Sequence, residues 1–147
     1  MTTEEAQATV GRFMQAIVEE RFDDARSLLH EEFVVYEAGG VPYSGEYHGP
    51  QGFFELLGKM NEGLVLTPGR PNQFLVADDT VAIRSRLKFT ARAPGESVEM
   101  SLVEIYTVRD GLIVELDVYY KDPSAVAALL AARRKVGPPA RIRSRYP

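Results

Sequence analysis

Two carboxylates sit where apolar residues are otherwise the rule. Met100, Leu102, Glu104, Tyr106 and Val108 alternate onto one face of an extended run, and Glu104 is the single charge among them. A carboxyl on such a face either finds a partner or keeps its proton, because an unpaired charge in a low-dielectric setting shifts its pKa upward. With the proton kept, Glu104 is an acid ready to donate or shuttle it; the structural alternative is an ion pair with Arg84 or Arg86. Glu37 shares an inward strand face with Phe33 and Val35 and stands just before Ala38-Gly39-Gly40. At the end of a strand it is placed to take an α-proton from a substrate, the alternative being a solvated loop carboxylate.

Other reactive groups are few. The chain has no cysteine and only His30 and His48 as imidazoles, with no spacing that completes a metal site. No phosphate-cradling glycine motif occurs, and Pro42-Tyr43-Ser44-Gly45-Glu46 lacks the first glycine of a nucleophile elbow. Neither cofactor nor metal is therefore expected, and catalysis narrows to proton transfer by carboxyls and tyrosines. Tyr43, Tyr47 and His48 fall in a long glycine-rich loop, where hydroxyls and an imidazole can orient a ligand or simply cover the core's edge.

A chain of 147 residues, 45% hydrophobic and 26% charged, fits one soluble domain with room for a small pocket. The first 132 residues hold 11 basic and 21 acidic side chains, a formal charge of −10, whereas from Arg133 onward there are six basic residues and no acid. An acidic body argues against nucleic acid as a partner. There is no apolar run of membrane-spanning length and no leader-like start, so a cytoplasmic protein is expected. The expected domain is 1–135, followed by a basic, Pro-rich and flexible tail at 136–147 that opens on Gly137-Pro138-Pro139.

Elements able to hold these residues can be read from periodicity. Thr2 and Glu5 form a capping box before a helix over 3–20, Asp23 can cap a shorter second helix, and a strand follows at 33–37. After the loop at 39–49 a third helix spans 50–61, with Pro50 in its first turn. Beyond residue 64 the period changes to two. Turn signals at 68–69, 78–79, 94–95 and 110–111 divide strands at 64–67 paired with 72–77, then 80–91, 97–109 and 112–120. Strand 80–91 puts Val81, Ile83, Leu87 and Phe89 on one face, expected to be concave, and Arg84, Arg86 and Lys88 on the other. In strand 112–120, Leu112, Val114, Leu116, Val118 and Tyr120 are expected to share the inner face. A last helix runs over 125–135. The fold class is α+β: a cone-shaped, curved antiparallel sheet packed on three N-terminal helices, with a short C-terminal helix.

This order of elements resembles the nuclear transport factor 2-like superfamily, which shares the cystatin-like cone. Arg12-Phe13 through Phe22-Asp23-Asp24-Ala25 to Leu28-Leu29-His30-Glu31-Glu32-Phe33 resembles the opening of its SnoaL-like polyketide cyclases and ketosteroid isomerases. Tyr47-His48-Gly49-Pro50-Gln51-Gly52-Phe53 and Val108-Arg109-Asp110-Gly111-Leu112-Ile113-Val114-Glu115 are similar to the start of their third helix and to their last hairpin. The likeness covers roughly residues 4–121. By position it implies that Glu37 is the general base and that Glu104 is the carboxyl held protonated as a donor. The tyrosines that support that donor in the isomerases map onto Phe13, Leu29 and Leu57, which cannot donate, so a faithful steroid isomerase is not implied. An acid of the cyclases corresponds most nearly to Asp117.

The implied function is a cofactor-independent isomerase, cyclase or dehydratase/hydrolase acting by proton transfer on a small hydrophobic carbonyl compound, polyketide-like or steroid-like. Glu37, Glu104 and Asp117 are its catalytic candidates. Phe13, Tyr43, Tyr47, His48, Leu57, Tyr106, Leu116 and Tyr120 are its substrate-binding candidates. The alternative is a non-catalytic module of the same fold that binds a small molecule or a partner. In each case a homodimer through the sheet is expected, because an outer face carrying Ser101, Val103, Ile105, Ile113 and Tyr119 is apolar for a surface in water.

Overall fold

The computed structural model describes residues 2–70 and 72–135, and the expected basic tail lies outside the described residues. The elements run α1 (Thr3–Val18), α2 (Phe22–Ser27), β1 (Leu29–Glu37), β2 (Gly45–His48), α3 (Gly49–Gly63), β3 (Leu64–Pro68), β4 (Gln73–Ala77), β5 (Thr80–Ala91), β6 (Ser97–Arg109), β7 (Leu112–Tyr120) and α4 (Pro123–Lys135). No helix among the described residues is long and apolar enough to cross a membrane.

Most local signals act as the sequence suggests, but Asp23 does not cap the second helix: it lies within the first turn of α2, whose N-cap, Arg21, makes no side-chain cap bond. The Thr2 side chain accepts from the Glu5 amide while the Glu5 carboxylate accepts from the Thr2 amide, so both orphan donors at the start of α1 are satisfied. Asp110 and Gly111 both take positive φ, 54° and 77°, in the two-residue turn between β6 and β7. Asp122 starts α4 by accepting from the Ala125 amide and the Ser124 hydroxyl. His30 lies in β1, where its Nδ1 accepts from the Glu32 amide.

The sheet order is β2-β1-β7-β6-β5-β3, and β4 also pairs with β5. Strands β3 and β4 do not form the hairpin expected from their adjacency. Both lie antiparallel to β5, β3 against its second half and β4 against its first, because twelve residues of β5 outrun either short partner. Strand β1 is inserted parallel to β7, which makes the otherwise antiparallel sheet mixed and brings residue 37 beside the last hairpin. The loop at 39–49 contains β2, antiparallel to β1.

The concave face is apolar. Val81, Ile83 and Phe89 of β5, Met100, Leu102, Tyr106 and Val108 of β6, and Phe33 and Val35 of β1 are all buried against α1 and α3. Phe13 of α1 and Phe53 of α3 meet edge-to-face at 5.3 Å, and Phe53 meets Phe33 at 6.0 Å. Such pairs add about 0.5–1.5 kcal/mol each beyond the area they bury. Gly52 lets α3 press on β2: a Cβ there would stand 2.9 Å from the Tyr47 carbonyl carbon.

The inner face of β7 differs from strict alternation. Thr107 pairs with Glu115 but Val108 pairs with Ile113, so Val114 is an extra residue, a β-bulge. Ile113, expected outside, is fully buried, while Leu112 and Val114 are only partly so. Beyond the bulge the phase is restored, and Leu116, Val118 and Tyr120 face inward.

Candidate active site

Three neighbouring strands set the two carboxyls in line. Glu104 on β6 is paired with Val118 on β7, and Val118 falls one step beyond the Tyr36–Asp117 pair of β1 and β7, which places it opposite Glu37. The two glutamates therefore flank a valine, their backbones two strand spacings apart, or roughly 10 Å. Both side chains leave the concave face, and the charge of Glu104 is near enough to raise the pKa of Glu37.

Glu37 is 9% exposed. Its Oε1 accepts from the Ala38 amide at 2.8 Å, and the Tyr120 hydroxyl donates to the same carboxyl. Burial, opposed by the amide and the tyrosine and reinforced by Glu104, lifts its pKa from 4.5 to about 7. Glu104 lies deeper, and burial raises its pKa too, against a single hydrogen bond from the Tyr106 hydroxyl at 3.3 Å. Among the described residues Glu104 forms no ion pair: Arg84 donates to Gln73 and Arg86 pairs with Glu99 on the convex side. Two donors stabilise an anion at Glu37 and one long bond does so at Glu104.

The tyrosines extend this pair. The hydroxyls of Tyr43 and Tyr120 are 2.7 Å apart, giving a chain from Glu37 through Tyr120 to Tyr43. Burial keeps both phenols protonated, with Tyr43 pushed beyond the usual phenol range and Tyr120 raised further by the charge of Glu37. Phe89 stacks on Tyr120 at 5.6 Å, and the Phe13 ring lies 6.2 Å from that of Tyr106. Tyr120→Phe removes a donor to the Glu37 carboxylate, so its pKa should move up. Carbon-detected NMR titration of the glutamate side chains reads this, and an unmoved or lowered pKa would show that the bond does not form.

Thus Glu37, Glu104, Tyr43, Tyr106, Tyr120 and, through Tyr106, Phe13 come together, with Leu116 buried beside them as the partner of Tyr106 on β7. Asp117 does not join them. It is paired with Ile105 on the convex face and accepts from the exposed Tyr119 hydroxyl at 2.7 Å, because the bulge at Val114 restores a phase that turns odd-numbered residues outward. His48 is also elsewhere: exposed at the start of α3, its Nε2 is 4.0 Å from Glu46. Tyr47 packs on α3, its hydroxyl donating to the Tyr43 carbonyl at 2.8 Å, so it positions Tyr43. Leu57 is a partly buried flank of the core.

A cleft of about 320 Å³ opens on the other side of Tyr43, between the β1–β2 loop, the end of α3, the start of β3 and Leu130 of α4. Sequence reasoning missed it, along with Lys59 on its wall. Lys59 is one of several exposed charges on α3, and nothing in its spacing separates it from the others. Phe89 was legible only as a core residue.

Fold and site together define a cone-shaped α+β protein with an internal pair of carboxyls. The chain belongs to the SnoaL-like domain family, whose model matches residues 10–116. Among solved structures it is similar to an NTF2-like protein of Burkholderia xenovorans, at 19% identity, covering 88% of this chain and 98% of that one with a TM-score of 0.80. It is also similar to a proposed polyketide cyclase of Xanthomonas campestris, at 18% identity, 88% and 99% coverage and a TM-score of 0.73. A proposed SnoaL-like polyketide cyclase from a Jannaschia species gives 17% identity, 88% and 94% coverage and a TM-score of 0.71. At these identities the likeness establishes the fold. No curated protein matches the chain in sequence.

Proposed function

We propose that the protein is a cofactor-independent acid–base enzyme that moves a proton on a small hydrophobic carbonyl compound, as in isomerisation or aldol-type cyclisation. The observation that supports this reading most directly is the Glu37–Glu104 pair. Two carboxyls on one apolar face repel each other's charge, so the singly ionised pair is favoured near neutrality. In that state Glu37 is a base with a pKa of about 7, suited to abstracting an α-proton, and Glu104 is an acid able to protonate or hydrogen-bond the enolate oxygen. The family and the proposed cyclases among its structural relatives support a reaction of this class.

Exchange of α-protons for deuterium needs no knowledge of the final product. A panel of apolar ketones, esters and polyketide-like diketones, incubated in heavy water and followed by proton NMR, should include compounds that lose α-proton signal in the presence of the protein. Compounds that bind tightly and come back unexchanged would instead make this a binding module.

We further propose a homodimer through the convex face. Tyr119 is 47% exposed there, beside half-buried Val103 and Ile105. Ile113 takes no part, since the bulge turns it inward. Tyr119→Asp should convert a dimer into a monomer at micromolar concentration in analytical ultracentrifugation. A monomeric wild type would refute the dimer.

A further inference from the structure

The cleft beside Tyr43 has no part in the proton transfer just described, yet its walls have a definite chemistry. Met60, Leu64 and Leu130 supply apolar surface, Tyr43 forms the inner wall, and Lys59 and Glu62 bring one charge of each sign. Its volume of about 320 Å³ lies at the small end of the range for sites that enclose small organic ligands.

The two charges are not equivalent. Lys59 forms no ion pair among the described residues. Its Nζ instead rests 4.9 Å from the centre of the Tyr47 ring and 3.5 Å from the Tyr47 hydroxyl. That ring is only 8% exposed, and its hydroxyl is anchored on the Tyr43 carbonyl. The ammonium is therefore held at the cleft by a rigid wall, with donors to spare. Glu62 is exposed and has no such anchor, so it stays in water. A cation fixed in advance loses little freedom on meeting an anion, which favours negative ligands over positive ones.

We propose that this cleft binds a small amphipathic organic acid, its anionic head on Lys59 and its apolar body along Met60, Leu64 and Leu130 against Tyr43. Tyr43 is also the outer member of the hydroxyl chain to Glu37, so a ligand lying here abuts the proton-transfer site. As a narrowing of the substrate class, to carbonyl compounds that also carry an acid group, this rests on the acid–base reading above. Binding itself requires neither Glu37 nor Glu104.

The test uses the full chain and two fluorescent probes of matched shape, anilinonaphthalene sulfonate and the neutral phenylnaphthylamine. Lys59→Met should weaken the sulfonate about fivefold while leaving the neutral probe within about twofold, as expected for loss of one partly exposed charge contact. Glu62→Gln should tighten the sulfonate, and added salt should shrink the contrast between the probes. Leu130→Gln should weaken both. Unchanged sulfonate affinity in Lys59→Met, equal losses of both probes in that variant, or indifference of both probes to Leu130→Gln would each overturn the proposal. Glu37→Gln should bind the sulfonate like the wild type, so a failed exchange assay leaves this site standing, and a failed probe assay leaves the carboxyl pair untouched.

Discussion

Glu37→Gln should stabilise the folded protein by about 3 kcal/mol at about pH 8 and by almost nothing at about pH 4. The reason lies in where the proton is bound. In the unfolded chain Glu37 titrates near 4.5, and in the folded protein at about 7, so between those values the native state holds a proton that the unfolded state has released. Stability from this group is fully present below the unfolded value and is lost as pH rises through the folded one. A shift of that size corresponds to roughly 3 kcal/mol at about 1.4 kcal/mol per pH unit. Glutamine removes the charge but keeps the bonds. Its amide oxygen still accepts from the Ala38 amide, and its NH2 can donate to the Tyr120 hydroxyl. Denaturant melts of both proteins at a series of pH values measure the difference directly. A gap between them that does not widen from acid to alkaline pH would show that Glu37 is not held in a charge-averse site. Glu104, buried on the same face, adds a dependence of the same sign, which Glu104→Gln should remove in turn.

The same two substitutions should have the largest effect on chemistry. Once a compound that undergoes exchange is in hand, Glu37→Gln should lower the rate by about 10²-fold or more, and Glu104→Gln by a comparable factor, since positioned acids and bases contribute on that scale. The wild-type rate should climb as pH rises through about 7, where Glu37 gives up its proton. Asp117→Asn, on the convex face, serves as the internal comparison and should stay within about threefold. Exchange that survives both glutamate substitutions within about threefold would rule out this pair as the proton-transfer machinery. A rate carried by Asp117 would place the chemistry on the wrong side of the sheet for this reading.

Most of the fold was legible because its determinants are local. The Thr2–Glu5 cap, the change of period after residue 64 and the Asp110-Gly111 turn each act within a few residues, and the strands beyond residue 64 fall within a residue of their expected limits, whereas β1 begins at Leu29 rather than residue 33 and β2 occupies part of the expected loop. Where the reading departed from the structure, the cause was a non-local pairing. The positions of β3 and β4 along β5 depend on which partner offers the longer ladder, and the bulge at Val114 depends on register across the last hairpin. That one extra residue decided two matters together, turning Ile113 into the core and leaving Asp117 outside.

The opposition between acids and cone divides in the same way. The sequence by itself determined that Glu104 is a lone charge on an apolar strand face and that Glu37 ends a strand with the same facing, because alternation along a strand is a property of the chain. Only the tertiary structure decided that the two face each other. That required β1 to run parallel to β7, a long-range insertion that no local pattern encodes. The tyrosine chain was decided there as well, since Tyr43 and Tyr120 lie 77 residues apart and meet at 2.7 Å only when the β1–β2 loop folds back over the mouth of the sheet. Proton affinity follows from those meetings: burial and a neighbouring charge raise a carboxyl's pKa, and both exist only once the strands have assembled.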